Sequence, residues 1–196
     1  MALRTAALVN ALADPAAGPR EIAGVLLAHG EDPPLTVTAE DVPPMRAAAA
    51  RLREVFAAAS ADEAAALLEP LLAARTGPLR LTSHGGTSPW HPHLDASDDA
   101  PWPEWFLASG CLALAVLLWD RQAPPGRTCA SARCGDVFVP HGSGPERRYC
   151  SRRCATRERV AAHRARTAAG PGAGSKTPRG PPRRARRGRG PRGPPR

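Results

Sequence analysis

The sequence is short of aromatic side chains and of long apolar runs. Only 4% of its 196 residues are aromatic, and these include a single Tyr. The most apolar segment, Leu107 to Trp119, reaches 15 residues when Trp105-Phe106 is added, whereas a bilayer-spanning helix needs about 20. We therefore expect a buried core helix here and no membrane partner. The stretch that begins at Arg4 is interrupted by Asn10 and makes a poor signal peptide, so we expect a cytoplasmic protein.

The sequence also lacks the short motifs that mark common enzyme classes. It has no nucleophile elbow, phosphate-binding loop or zinc-protease helix. The nearest approach is a histidine cluster, His91-Pro92-His93-Leu94-Asp95, with His84 close by in the chain. A metal-dependent hydrolase would use these histidines to bind a second metal ion. We favour a polar hairpin edge instead, and we expect no catalysis.

A small-molecule effector is a further hypothesis for the same region. Aromatic and imidazole side chains cluster there, as in many ligand pockets. The candidate pocket residues are Asn10, Trp90, His91, His93 and Trp102. They would make the N-terminal part of the chain a sensor.

Lysine is almost absent, and the basic charge lies at one end of the chain. The sequence has 26 arginines and one lysine. Residues 1–120 carry 7 basic and 15 acidic side chains, a net charge of −8, whereas residues 121–196 carry 20 basic and 3 acidic ones, a net charge of +17. This division indicates that the C-terminal part meets a polyanion while the acidic part has another role.

The periodicity of the first 124 residues predicts a mainly helical domain with one short β-hairpin. Gly and Pro punctuate the helical segments. The expected helices cover residues 1–13, 19–29, 45–60, 63–75 and 101–120, and the hairpin strands cover 79–83 and 90–94. Pro70 inside the fourth helical segment predicts a kink or a boundary.

Four cysteines lie within 26 residues, spaced C-x4-C-x15-C-x3-C: Cys129, Cys134, Cys150 and Cys154. Two close pairs joined by a loop suit one structural, four-thiolate Zn²⁺ ion per chain, which would replace the core that so short a segment cannot form. Disulfides would require an oxidising compartment, and iron–sulfur clusters use tighter spacings. Cys111 lies in the apolar run and is expected in the core.

The segment around these cysteines predicts a small module of two strands and a helix. Val137-Phe138-Val139 and Arg147-Arg148-Tyr149 are the expected strands, joined by a flexible turn over 140–145, and a helix follows Ser151. We expect its arginines to contact phosphates of duplex DNA. The alternative is an RNA-binding or ribosome-associated zinc protein, because charge alone suits both nucleic acids. The arginines are Arg147, Arg148, Arg152, Arg153, Arg157, Arg159, Arg164 and Arg166.

Residues 127–166 resemble the CGNR zinc-finger module of bacterial proteins. The resemblance rests on the four cysteines, on the Val137-Phe138-Val139 and Arg147-to-Ser151 segments, on Arg157 and on the run 160–166. Ala155-Thr156 stand where that family has Gly-Asn. A second resemblance, to the α-rich domain of stress-induced transcription regulators, rests on Leu8-Val9-Asn10 and Trp90-His91-Pro92-His93.

The resemblance implies a DNA-binding transcription regulator that responds to stress and acts at the nucleoid. The predicted organisation is an α-rich domain over 1–124, a zinc finger over 125–166 and a disordered basic tail over 167–196. The tail is rich in Gly, Pro and Arg and has too few apolar side chains to form a core.

Overall fold

Six helices and two short hairpins form the part of the chain that the computed structural model describes, residues 1–75, 77–140 and 147–168. In chain order they are α1 (Ala2–Ala11), α2 (Pro19–Ala28), α3 (Val42–Ala57), α4 (Ala61–Arg75), β1 (Arg80–Thr82), β2 (His91–His93), α5 (Trp102–Arg121), β3 (Arg127–Thr128), β4 (Val137–Phe138) and α6 (Arg152–Ala168). For these residues the predicted fold class is confirmed.

The helix ends follow local chemistry. Pro19 begins α2, and the Glu21 carboxylate accepts a hydrogen bond from the Gly18 N–H at 3.1 Å, as the third helical residue of a capping box does. Before α4, the Glu63 N–H donates to Ser60 Oγ at 3.1 Å. Pro70 does not end α4, which continues to Arg75.

Helix α5 is the central element of the core and packs against α1, α3 and α4. Its middle part, from Phe106 to Leu114, is largely buried, and Cys111 is 0% exposed there. Gly110 lets the helices approach closely, because an added Cβ would lie 2.8 Å from Leu52 of α3. By length and composition alone, α5 is also long and apolar enough to span a membrane. Buried core helices of soluble proteins meet the same two criteria.

Each hairpin is antiparallel and short. In the first, Arg80 pairs with His93 and Thr82 with His91, within the two segments that the sequence predicts as hairpin strands. In the second, Val137 pairs with Thr128 and Phe138 with Arg127. The predicted strand at 147–149 is therefore wrong: β4 pairs with residues that precede the first cysteine, and residues 147–149 form no strand.

The chain divides into two units, Met1–Arg159 and Val160–Arg196. The first contains α1 to α5, both hairpins and the beginning of α6; the second begins within α6 and is described as far as Ala168. The predicted flexible turn from 141 onward and the predicted tail from 169 onward lie outside the described residues.

Candidate metal centre and basic surface

Backbone hydrogen bonds position the four cysteines. The Cys129 N–H donates to the Asp136 carbonyl at 2.8 Å, and the Cys134 N–H closes a tight turn on Ser131 at 2.9 Å. Ser151 caps α6 by accepting the Cys154 N–H at 3.3 Å. Cys154 therefore lies in the first turn of α6 and links that helix to the hairpin.

The four sulfurs have the spacing of a tetrahedral metal site. One ligand atom from each cysteine lies within 4.8 Å of all the others. Cys150 Sγ is 3.7 Å from both Cys134 Sγ and Cys154 Sγ. A Zn–S distance of about 2.3 Å places two sulfurs about 3.8 Å apart at the tetrahedral angle. The cluster therefore fits a zinc ion, and four protein thiolates leave no open coordination position.

The protonation of the thiols makes binding at this centre proton-linked. Burial raises the pKa of Cys134 to about 11 and raises the pKa of Cys150 above its usual range. The Cys150 N–H donates to Cys129 Sγ at 3.4 Å. A metal ion must displace protons from these thiols, so metal affinity increases with pH. Cys111 lies apart in the core, where burial raises its pKa to about 12.

The cysteine module packs on the N-terminal helices within the first unit. The Asn10 side chain of α1 makes two hydrogen bonds to the Val137 backbone, accepting from its N–H at 2.8 Å and donating to its carbonyl at 2.9 Å. Arg53 of α3 donates to the Gly135 carbonyl. An added Cβ on Gly126 would lie 2.1 Å from the ring of Phe56. The start of the module is therefore tightly fitted to α3.

Sequence reasoning missed these attachment residues. Asn10 was predicted as a pocket residue, whereas the structure places its amide on a backbone 127 positions away. Arg53 and Phe56 lie on an amphipathic helix whose sequence does not mark them as contacts of the cysteine module. The helical periodicity of α3 indicates only that Phe56 is buried. No short-range pattern reveals such contacts.

The predicted arginines have different surroundings. Arg147 is exposed, but its guanidinium donates to the Tyr149 and Cys150 carbonyls and lies 5.5 Å from the Phe138 ring centroid, so contacts within the module position its side chain. Arg157 is half-buried. The others are exposed, namely Arg148, Arg152, Arg153 and Arg159 in the first unit and Arg164 and Arg166 in the second.

Glu158 is the only acidic residue of α6. It accepts a hydrogen bond from the Ser131 hydroxyl at 2.7 Å and is half-buried. Its charge is thus directed into the cysteine module, whereas most of the arginines of the helix face solvent. The exposed surface of α6 in the first unit is consequently positive.

The candidate pocket residues come together only in part. A cavity of about 660 Å³ is lined by His91, His93 and Trp102, together with His84 and the carboxylates of Asp95 and Asp98. Trp102 is fixed by a hydrogen bond from Nε1 to the Thr36 carbonyl at 3.1 Å. Trp90 is 73% exposed, and neither Trp90 nor Asn10 lines this cavity.

Comparison with protein families agrees with the cysteine geometry. Residues 126–167 match the model of the CGNR zinc finger. This segment contains all four clustered cysteines, β3, β4 and α6 up to Thr167. No curated protein matches the sequence.

Proposed function

Because residues 126–167 carry a CGNR zinc finger, we propose that the chain is a zinc-dependent DNA-binding protein that regulates transcription. The observation that carries the proposal is α6, a helix that begins beside a metal ligand and has six arginines against one acid, Glu158. Double-stranded DNA presents a dense row of phosphates that such a surface neutralises with release of counterions.

The metal has a structural role in this proposal. Zinc would hold Cys154, and with it the beginning of α6, at a fixed angle to the β3–β4 hairpin. The backbone contacts at Asn10 and Arg53 attach the same hairpin to the helical body. Removing zinc should therefore free α6 from its fixed orientation, while the number of arginines on the helix stays the same.

The arginines supply affinity rather than sequence readout. Side chains that contact phosphate fix the orientation of a protein on the duplex but carry no direct base information. The two arginines at the N-terminal end of α6, Arg152 and Arg153, are both exposed. They lie in its first turn, close to the metal centre that orients the helix.

A pair of matched variants tests this interface in the full chain. Arg152→Ala combined with Arg153→Ala removes two positive charges from α6, and Arg20→Ala combined with Arg51→Ala removes two exposed charges from α2 and α3. Fluorescence anisotropy with a labelled duplex, measured over a range of salt concentrations, gives the slope of log K against log salt. The α6 variant should reduce this slope by about 1.8, since each phosphate contact contributes about 0.9.

The control variant should leave the slope near that of the wild type. Equal slopes for the α6 variant and the wild type would contradict the interface, and so would equal changes in the two double variants. Melting temperatures of all three proteins exclude unfolding as the cause.

RNA is the second candidate partner, because arginine-rich helices bind RNA phosphates equally well by charge. Competition of unlabelled structured RNA against the labelled duplex separates the two. We propose that duplex DNA is preferred and that the protein acts in the cytoplasm at the nucleoid, without catalysis. Displacement of the duplex by RNA at lower concentrations than by DNA would reverse this assignment.

A further inference from the structure

Three histidines of the first hairpin region converge on one point, away from the cysteine centre. His91 Nε2 lies 3.0 Å from His93 Nε2 and 3.3 Å from His84 Nε2. One ligand atom from each of the three lies within 4.8 Å of the other two. His93 is buried, and the other two are half-buried.

The second nitrogen of each ring faces an oxygen acceptor. His91 Nδ1 lies 2.7 Å from the Pro89 carbonyl oxygen, and His93 Nδ1 lies 2.9 Å from Asp95 Oδ2. His84 Nδ1 lies 3.4 Å from Asp98 Oδ2. Carbonyl and ionised carboxylate oxygens only accept, so each Nδ1 that faces one carries its hydrogen, and a neutral ring then presents a bare lone pair at Nε2. His93 Nδ1 also lies 3.3 Å from Arg80 Nη2, which only donates, but its contacts with the two Asp95 oxygens are shorter, at 2.9 and 3.0 Å.

When all three rings are neutral, their Nε2 lone pairs face one another and cannot form hydrogen bonds among themselves, whereas a metal cation between them would accept all three. A Zn–N distance of about 2.0–2.1 Å places two tetrahedral ligand nitrogens about 3.3–3.4 Å apart. The distances of 3.0 and 3.3 Å between Nε2 atoms are close to this value. The outer oxygens at Nδ1 are the arrangement that orients metal-bound histidines in proteins.

We infer that His84, His91 and His93 form a second metal site, which binds a divalent transition-metal ion such as Zn²⁺ through three imidazole nitrogens. Imidazole ligands suit zinc and its neighbours in the first transition row rather than Mg²⁺ or Ca²⁺. The site is independent of the cysteine centre and does not rest on the DNA-binding proposal.

The surrounding residues hold the three rings in place. Arg80 on β1 forms ion pairs with both Asp95 and Asp98, the carboxylates that face His93 and His84. Thr82 Oγ1 donates to Asp98 at 2.9 Å. His84 has a φ of +47°, which non-glycine residues adopt uncommonly. The hairpin thus fixes an unfavourable backbone conformation that brings the His84 ring to the other two.

The site has room for a fourth ligand. All three histidines line the cavity of about 660 Å³, which is large enough for water or a small solute. Three protein ligands and one open position are the coordination pattern of zinc sites that bind water or another small ligand in the fourth position, whereas the cysteine centre is closed. We assign the open position to water or a small ligand that enters through this cavity.

Metal content of the full chain tests the site. The wild-type protein is equilibrated with a small excess of Zn²⁺, and unbound metal is removed by gel filtration. Inductively coupled plasma mass spectrometry should then find two zinc ions per chain. His91→Gln should retain one, and so should His84→Asn, a second variant chosen because Asn tolerates positive φ. His29→Ala, which removes an exposed histidine at the end of α2, should retain two.

Cobalt spectroscopy shows which site is lost. Thiolate-bound Co²⁺ has an intense sulfur-to-metal charge-transfer band, which a nitrogen site lacks. His91→Gln should weaken Co²⁺ binding at the second equivalent by more than about 100-fold, since even the loss of an outer partner costs about 10–100-fold. The charge-transfer band should be unchanged.

Two results would overturn the inference. One is a single metal ion per wild-type chain under these conditions, with the charge-transfer band fully developed. The other is the same metal content in His91→Gln, His84→Asn and the wild type, which would place the second ion elsewhere.

Discussion

Gly126→Ala should loosen the attachment of the zinc finger to the helical body. Gly126 lies immediately before β3, where an added Cβ would be 2.1 Å from Phe56 Cδ1 and 2.8 Å from Cε1. Carbon atoms in contact lie about 3.5–4.0 Å apart, so the overlap is at least about 1.4 Å. Phe56 is 0% exposed, and the surrounding core leaves its ring little space to move.

The overlap must therefore move the chain at Gly126 or distort the core. Overpacking of this kind costs about 1–3 kcal/mol. For a domain of about 150–250 residues, each kcal/mol lowers the melting temperature by about 2–4 °C, so we expect a decrease of about 2–12 °C. Calorimetry of the zinc-loaded full chain measures it.

Gly135→Ala is the matched control, because a Cβ at that position meets no atom within 4 Å. It should melt within about 2 °C of the wild type, as is usual for open surface positions. In a Phe56→Leu background, Gly126→Ala should cost less than in the wild type, since the ring that it overlaps is absent. Equal melting temperatures for Gly126→Ala and Gly135→Ala would refute this packing argument.

Cys134→Ser should release the bound zinc and unfold the finger, and a variant with full zinc content and an unchanged melting temperature would contradict the ligand assignment. Because burial raises the pKa of Cys134 to about 11, that thiol is protonated in the metal-free protein throughout the neutral range. Zinc affinity measured with a competing chelator should therefore increase from about pH 6 to about pH 8, and a constant affinity would oppose this reasoning. Asn10→Ala leaves both backbone groups of Val137 without their partner and should cost about 1–3 kcal/mol, which thermal unfolding would show; wild-type stability would mean that the contact contributes nothing. Gly110→Val should destabilise the core by a similar amount through overlap with Leu52, and unchanged stability would show that α3 and α5 are not in close contact.

The helices could be predicted from the sequence because their signals are local. Pro19 and Gly30 mark the ends of α2, and Ser60 marks the beginning of α4. The cysteine site was predictable for the same reason, since its ligands form two close pairs in the chain. The spacing of these cysteines along the chain is enough to predict the site, whatever the fold of the rest of the protein.

What the sequence does not reveal depends on contacts between distant residues. The partner of β4 was wrongly predicted because its true partner, Arg127-Thr128, is too short to show a strand pattern. Arg147-Arg148-Tyr149 was predicted as the partner strand instead. The role of Asn10 depends on Val137, far along the chain. The histidine cluster could be recognised in the sequence. The orientations of its rings depend on the Pro89 carbonyl and on the carboxylates of Asp95 and Asp98, and the sequence does not show that these oxygens face the rings.

The central claim is that a zinc-built finger presents arginines to duplex DNA. The most direct measurement is the affinity of the full chain, and of a chain ending at Ala168, for a labelled duplex at about 150 mM salt, before and after zinc removal and after zinc is restored. The account predicts binding by both chains that is lost with zinc and recovered on its return. Binding that is indifferent to zinc, or that disappears when the chain ends at Ala168, would contradict it.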